Sequence, residues 1–147
     1  MIPIRRSALP AFALALLGVA IAVYMVWVHY QETALICGVG NCEKVQTSEY
    51  ATMFGVPIAW FGLAMYVTLV ALLIVRETRP ELADVASVGV FGLTFAGTLY
   101  CAYLTYLEIW VIEAICQWCV TFAIVTVASF ILATIHLTRV FLSTSAD

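Results

Sequence analysis

The sequence predicts an all-α integral membrane protein, organised as a four-transmembrane-helix bundle with an extracytoplasmic loop. Of its 147 residues, 65% are hydrophobic and only 10% are charged, whereas an average soluble domain carries about 25% charged residues. Its mean hydropathy is +1.08. A chain of this length forms one domain, and we predict a single membrane domain over residues 1–147.

The predicted spans are stretches without Asp, Glu, Lys or Arg at residues 10–30, 57–75, 85–106 and 116–137. A helix needs about 20 residues to cross about 30 Å of hydrocarbon. Backbone amides in lipid find no water, so uncharged stretches of this length are predicted to be helices. The first stretch is longer than the apolar region of about 7–15 residues in a signal peptide, and we predict that it stays as a span.

The basic residues predict the orientation of the bundle. One side would hold Arg5, Arg6, Arg76, Arg79 and Arg139, and the other side only Lys44. The basic side is expected in the cytoplasm, with both termini. The loop over residues 31–56 and the connection over residues 107–115 would then face outward. A bacterial plasma membrane is favoured over the endoplasmic reticulum because no retention signal ends the chain. The net charge of −3 excludes a nucleic-acid partner.

The cysteines carry the chemical information. They are Cys37, Cys42, Cys101, Cys116 and Cys119. In this topology all except Cys101 lie on the oxidising side, whereas Cys101 is expected to be a small buried side chain in the third span. Cys116 would open the fourth helix, where the helix dipole lowers a thiol pKa. Cysteine pairs at one membrane face can pass electrons by thiol–disulfide exchange.

The cysteine pattern alone leaves other interpretations open. The same residues could form purely structural disulfides that join the outer loops. They could also bind zinc, copper(I) or mercury in a soft-metal transporter. Against a metal site, His29 and His136 fall at opposite faces of the predicted bundle.

At this point the sequence resembles the vitamin K epoxide reductase family over about residues 10–137. The residues that carry the resemblance are Cys37, Cys42, Val45, Ser48, Gly55, Gly62 and the Cys116-Gln-Trp-Cys119 motif. The resemblance implies a membrane thiol oxidoreductase whose bundle encloses a quinone site near its outer face. It also implies that a short helix around residues 43–54 covers this site as a lid.

The resemblance further implies a role for each cysteine of the two pairs. Cys37 would meet a thioredoxin-like extracytoplasmic partner, Cys42 would attack Cys116, and Cys119 would face the quinone. Ser48 would donate a hydrogen bond near the quinone oxygen or hold the loop in position. The expected co-substrate is a menaquinone, a ubiquinone or a quinone of the vitamin K type, without a metal, and the net result would be disulfide formation.

The sequence also departs from the family pattern. Ile58 occupies a position where some members have Asn. Ala123, preceded by Phe122, occupies a position where animal enzymes have Tyr. The quinone site is therefore expected to be more apolar here and to suit plain quinone reduction. The chain carries no fused thioredoxin-like domain, so the partner is expected to be a separate protein.

Overall fold

A computed structural model describes residues 8–31 and 36–144, with side chains through residue 142. Arg5, Arg6 and residues 32–35 of the predicted outer loop lie outside the described residues. The helices are α1 (Leu9–Gln31), α2 (Cys42–Gln46), α3 (Ile58–Thr78), α4 (Ala83–Tyr106) and α5 (Gln117–Thr144). Among these, α1, α3, α4 and α5 are long and apolar enough to cross a membrane. The predicted four-span bundle is therefore confirmed, and the chain is an integral membrane protein.

The long helices run alternately up and down. α1 packs against α3 and α5, and α4 packs against the same two helices, so α1 and α4 lie diagonally across the bundle. One end of the bundle contains the end of α1, the start of α3, the end of α4 and the start of α5. We call it the cysteine end, because the paired cysteines lie there. Arg76, Arg79 and Arg139 lie at the opposite end.

Tyr66 occupies the centre of the bundle and has no exposed surface. Its hydroxyl shares a hydrogen bond of 3.0 Å with Thr126 Oγ1, so the polar atom is satisfied within the membrane. Its ring packs edge-on against Phe122. On the other side, the ring fills the space above Gly18 of α1, where any side chain would collide with it. This contact fixes α3 between α1 and α5.

The helix boundaries differ from the predicted spans where charged residues interrupt the sequence. After α4, a π-helical turn over Leu107–Val111 continues the helix, although we predicted an outward-facing connection over residues 107–115. The turn includes Glu108, which is only 4% exposed. It can be buried because its carboxylate accepts a hydrogen bond from the backbone of Cys116. α5 continues to Thr144 rather than ending at residue 137, because a long cationic side chain such as Arg139 does not end a helix at a membrane surface.

The predicted lid helix over residues 43–54 is wrong in its extent. Residues 42–57, which we call the lid segment, form α2, a 3₁₀ turn over Glu49–Ala51, and a hairpin of β1 (Thr52–Met53) and β2 (Val56–Pro57). The helix stops because the Ser48 backbone is extended, with a ψ of 154°. The hairpin turns at Phe54 and Gly55, which have φ angles of 53° and 78°. A continuous helix cannot contain these conformations.

Candidate functional site

Residues 36–42, which we call the redox loop, are bound to the start of α5. The backbones of Gly40 and Cys116 pair in an isolated antiparallel bridge. The N–H of Asn41 donates to the carbonyl oxygen of Ile115 at 2.9 Å. Gln117 Oε1 accepts the N–H groups of both Gly38 and Val39 at 3.1 Å. The position of the redox loop is therefore set by Ile115 and by residues of the Cys116-Gln-Trp-Cys119 motif itself.

Gly40 is required for this close contact. Its φ of 91° lies in the region that favours glycine. A Cβ atom at this position would also collide with the carbonyl oxygen of Ile115. Nearby, Trp118 Nε1 donates to the carbonyl oxygen of Ile36 at 3.0 Å, which fixes the beginning of the redox loop.

The cysteine pairs are in different redox states. Cys37 and Cys42 form a disulfide, whereas Cys116 and Cys119 are free thiols. Cys42 and Cys116 are 1% and 0% exposed, and with Val45 they form one buried cluster. Cys37 is only half-buried at the edge of this cluster. The disulfide therefore has an accessible sulfur, on Cys37, and a buried sulfur that packs with Cys116.

The environment of Cys116 favours its thiolate. A hydrogen bond from the Cys119 thiol lowers the pKa of Cys116, and the backbone N–H groups of Cys119 and Trp118 act in the same direction. Burial and the Glu108 carboxylate oppose this effect but do not cancel it. A thiol with a lowered pKa is both a better leaving group and more available as a thiolate.

An apolar cavity of about 310 Å³ opens on the other side of Cys119. The four residues predicted from the sequence to bind the quinone or position the loop line it: Ser48, Ile58, Phe122 and Ala123. The structure thus brings together every residue named from the sequence for quinone binding or loop positioning, next to one of the paired thiols. The volume of the cavity is in the range of small-molecule binding sites.

The lid segment closes the cavity at the cysteine end. Val45, Gln46, Tyr50 and Ala51 line the cavity together with Ser48. The Ser48 hydroxyl donates to the carbonyl oxygen of Val45 at 2.7 Å, and so it holds the end of α2. The hydroxyl oxygen still has a free lone pair near the cavity.

Sequence reasoning missed Glu108. The uncharged stretch before it predicts an exposed connection over residues 107–115, yet Glu108 lies in the wall of the cavity. Cys101 is buried, as predicted for a small side chain in the third span. It also lines the cavity, together with Tyr100 and Thr105. A glutamate that follows a membrane span by only two residues is the signal that could have indicated a buried carboxylate.

The arrangement bears on the other interpretations of the cysteines. Free thiols at Cys116 and Cys119 do not match a pair of static disulfides. Within residues 8–31 and 36–144, no group of three or more His, Cys, Asp or Glu side chains is placed to hold a metal ion. The site instead places a disulfide, a dithiol and an apolar cavity next to one another in space, in that order.

The profile of the vitamin K epoxide reductase family matches residues 9–134, which is most of the chain. Proteins of this family are membrane thiol–disulfide and quinone oxidoreductases that work with thioredoxin-like proteins and quinones. The match covers α1, α3 and α4 and the part of α5 up to residue 134, and it includes both cysteine pairs. The chain therefore belongs to the vitamin K epoxide reductase family.

Proposed function

We propose that this protein oxidises an extracytoplasmic thioredoxin-like dithiol protein and passes the electrons to a membrane quinone. The observation that carries the proposal is the position of Cys119. It lies on the wall of the apolar cavity and also packs against the cluster of Cys42 and Cys116. An electron pair can therefore move from the redox loop to the cavity through sulfur exchange alone.

The first step takes place at Cys37, the accessible sulfur of the loop disulfide. A partner thiolate attacks Cys37 and releases Cys42, and the second partner thiol then resolves the mixed disulfide. The partner leaves as a disulfide, and Cys37 and Cys42 are left as thiols. The exposed side chains of Ile36 and Val39 beside Cys37 provide an apolar surface for this contact.

In the second step, Cys42 attacks the Cys116–Cys119 disulfide at Cys116 and releases Cys119 as a thiolate. Cys37 then attacks Cys42, which restores the loop disulfide and frees Cys116. The protein reaches the state that the structure contains, with an outer disulfide and an inner dithiol. The lowered pKa of Cys116 makes it a good leaving group in this step.

In the third step, the Cys116–Cys119 dithiol gives two electrons to a quinone in the cavity. Cys119 faces the cavity, and Cys116 then forms the inner disulfide with it. Ile58, Phe122 and Ala123 contact the ring through apolar surface, and Ser48 holds the lid segment against it. A menaquinone, a ubiquinone or a quinone of the vitamin K type supplies the oxidant. Epoxide reduction is not part of the proposal, because the side chains of Ile58 and Ala123 carry no polar atoms.

The proposal also assigns an orientation and a location. Lys44 is the only Lys or Arg at the cysteine end among the described residues, whereas Arg76, Arg79 and Arg139 lie at the other end. The cysteine end then faces the outside of a bacterial plasma membrane, and the chain termini are cytoplasmic.

The test is quinone-dependent oxidation of a reduced thioredoxin-like protein by the purified chain in lipid vesicles. We expect turnover that requires Cys37, Cys42, Cys116 and Cys119, each replaced in turn by Ala. Cys101→Ala is the comparison variant: Cys101 lies outside both pairs but lines the cavity, so its replacement should at most change KM for the quinone and should not abolish turnover. Turnover that persists when any of the four is replaced would contradict the relay.

A further inference from the structure

Glu108 is the one acidic or basic side chain in the wall of the apolar cavity, within the part of the chain that the structure describes. It lies in the π-helical turn after α4 and is 4% exposed. A buried carboxylate at a membrane depth is costly and is usually retained for a function. The three steps proposed above make no use of it.

The contacts of Glu108 place it beside both residues of the inner pair. Its Oε2 atom accepts the backbone N–H of Cys116 at 3.1 Å. Glu108 and Cys119 line the same cavity, and their side chains are close enough for each to affect the pKa of the other. The carboxyl group is therefore next to the thiol that must lose a proton when electrons leave it.

Glu108 also reaches a second space. It lines an open cleft on the surface of the cysteine end, together with Gly40, Asn41, Lys44 and Glu113. The two spaces have no other lining residue in common. Glu108 thus lies between the apolar cavity and the surface cleft. A single side chain that contacts a thiol, an apolar cavity and a polar cleft can move protons between them by small rotations.

We propose that Glu108 is a catalytic residue that transfers protons from the inner dithiol to the quinone. The inference rests on the proposed function, since it concerns the last step of that reaction. The ionised carboxylate takes the proton of Cys119 and gives it to a quinone oxygen. The Cys116 proton follows the same path as the inner disulfide forms. The balance is one dithiol and one quinone converted into one disulfide and one hydroquinone, with Glu108 unchanged.

This role differs from a purely structural one. Glu108 could act only as an acceptor that holds the Cys116 backbone in place. Gln in its position would keep an oxygen acceptor for the Cys116 N–H and nearly the same shape, but it could not carry a proton. Glu108→Gln therefore removes proton transfer while it preserves the hydrogen bond. Glu108→Asp keeps a carboxyl group, but on a shorter side chain.

The test separates the quinone step from thiol exchange. Fully reduced protein in vesicles is mixed with a water-soluble short-chain quinone, and the first turnover is followed by quinone absorbance. We expect Glu108→Gln to slow this step about 100-fold, within the range for loss of a general acid–base group. We expect Glu108→Asp to recover part of the rate. Glu49→Gln is the matched control, because Glu49 is exposed on the lid segment and does not line the cavity.

Thiol exchange is measured on the same variants without quinone, as the rate at which a reduced thioredoxin-like protein reduces the oxidised chain. We expect this rate to be the same in Glu108→Gln and in wild type. An equal loss in both rates, or a quinone step that Glu108→Gln leaves unchanged, would overturn the inference. Failure of wild type to reduce the quinone would instead overturn the proposed function.

If the Glu108→Gln protein does not fold, two other measurements still test the inference. The wild-type quinone step should slow in D₂O, whereas its thiol exchange should slow less, because proton transfer by Glu108 belongs to the quinone step. Folded Glu108→Asp should show an intermediate rate for the quinone step. A quinone step without any solvent isotope effect, or Glu108→Asp at the wild-type rate, would overturn the inference.

Discussion

The backbones of Gly40 and Cys116 pair with each other, which places the loop disulfide directly on the first residues of α5. This pairing brings the buried sulfur of the outer couple, on Cys42, into the same cluster as Cys116. A thiolate must approach a disulfide sulfur along the S–S axis to exchange with it. In the proposed relay, the rate of exchange between Cys42 and Cys116 therefore depends on how firmly the redox loop is bound to α5.

Gly40→Ala should weaken this binding. The positive φ costs a residue with a Cβ roughly 1–2 kcal/mol, and a collision with the Ile115 carbonyl adds to that. We expect the rate of Cys42–Cys116 cross-linking to fall by about tenfold, the factor that corresponds to about 1.4 kcal/mol. The measurement uses copper-phenanthroline oxidation of a chain in which Cys37, Cys101 and Cys119 are replaced by Ala.

Gly55→Ala is the control for this experiment. Gly55 also has a positive φ, of 78°, but a Cβ there would meet no neighbouring atom within 4 Å. We expect it to leave the cross-linking rate near that of the parent chain. Equal rates for Gly40→Ala and the parent chain would show that the redox loop does not need this glycine to reach Cys116.

Ser48→Ala should loosen the lid segment over the cavity. It removes the hydrogen bond to the Val45 carbonyl, and a typical hydrogen bond contributes about 1 kcal/mol. We expect KM for the quinone to rise about fivefold, with Ser48→Thr close to wild type. Thr47→Ala is the control, because its hydroxyl makes a similar bond to Glu43 at the exposed side of α2. A similar rise in Thr47→Ala would mean that the effect does not involve the cavity.

Ala123→Phe should block the cavity from within. Ala123 lines the cavity next to Phe122, and a large ring there would fill the space proposed for the quinone. Overpacking costs typically 1–3 kcal/mol, so we expect KM for the quinone to rise about tenfold or more while thiol exchange is unchanged. Ala64→Phe makes the same change on the exposed surface of α3. Normal quinone kinetics in Ala123→Phe would place the quinone elsewhere.

Cys119→Ala should raise the pKa of Cys116. The Cys119 thiol donates the hydrogen bond that contributes most to lowering this pKa, and its loss disfavours the thiolate. Because the thiolate is the reactive form, alkylation of Cys116 by iodoacetamide should then begin at higher pH than in wild type. Mass spectrometry of the Cys116 peptide measures the midpoint, in chains that also carry Cys101→Ala. Cys119→Ser keeps a donor, so a midpoint that moves equally in both variants would contradict this cause.

The sequence predicted the bundle well because lipid imposes a simple rule on it. Uncharged stretches of about 20 residues must be helices, and α1 and α3 begin and end within three residues of the predicted limits. The rule failed at Glu108 and at Arg139, where a charged residue ended the uncharged stretch but not the helix. A hydrogen bond stabilises the charge of Glu108, and the long side chain of Arg139 keeps its charge at the membrane surface. Neither effect can be predicted from composition.

The candidate site was predictable only in part. The cysteines stand out because of their spacing and their common position at one membrane face. The contacts that align the cysteines cannot be predicted in this way, because they join distant parts of the sequence. Gly38, Val39 and Gly40 contact Ile115, Cys116 and Gln117. The lid segment was also mispredicted, since its end depends on an extended Ser48 backbone and a turn at Phe54 and Gly55. Such features follow from tertiary contacts more than from periodicity.

The order in which the cysteine pairs become oxidised tests the central claim most directly. Fully reduced chain is mixed with quinone in vesicles, and free thiols are trapped and located by mass spectrometry at successive times. We predict that the Cys116–Cys119 disulfide forms first, that Cys37–Cys42 follows, and that Cys116→Ala keeps Cys37 and Cys42 reduced. Oxidation of Cys37 and Cys42 by quinone at an undiminished rate in Cys116→Ala would contradict the account.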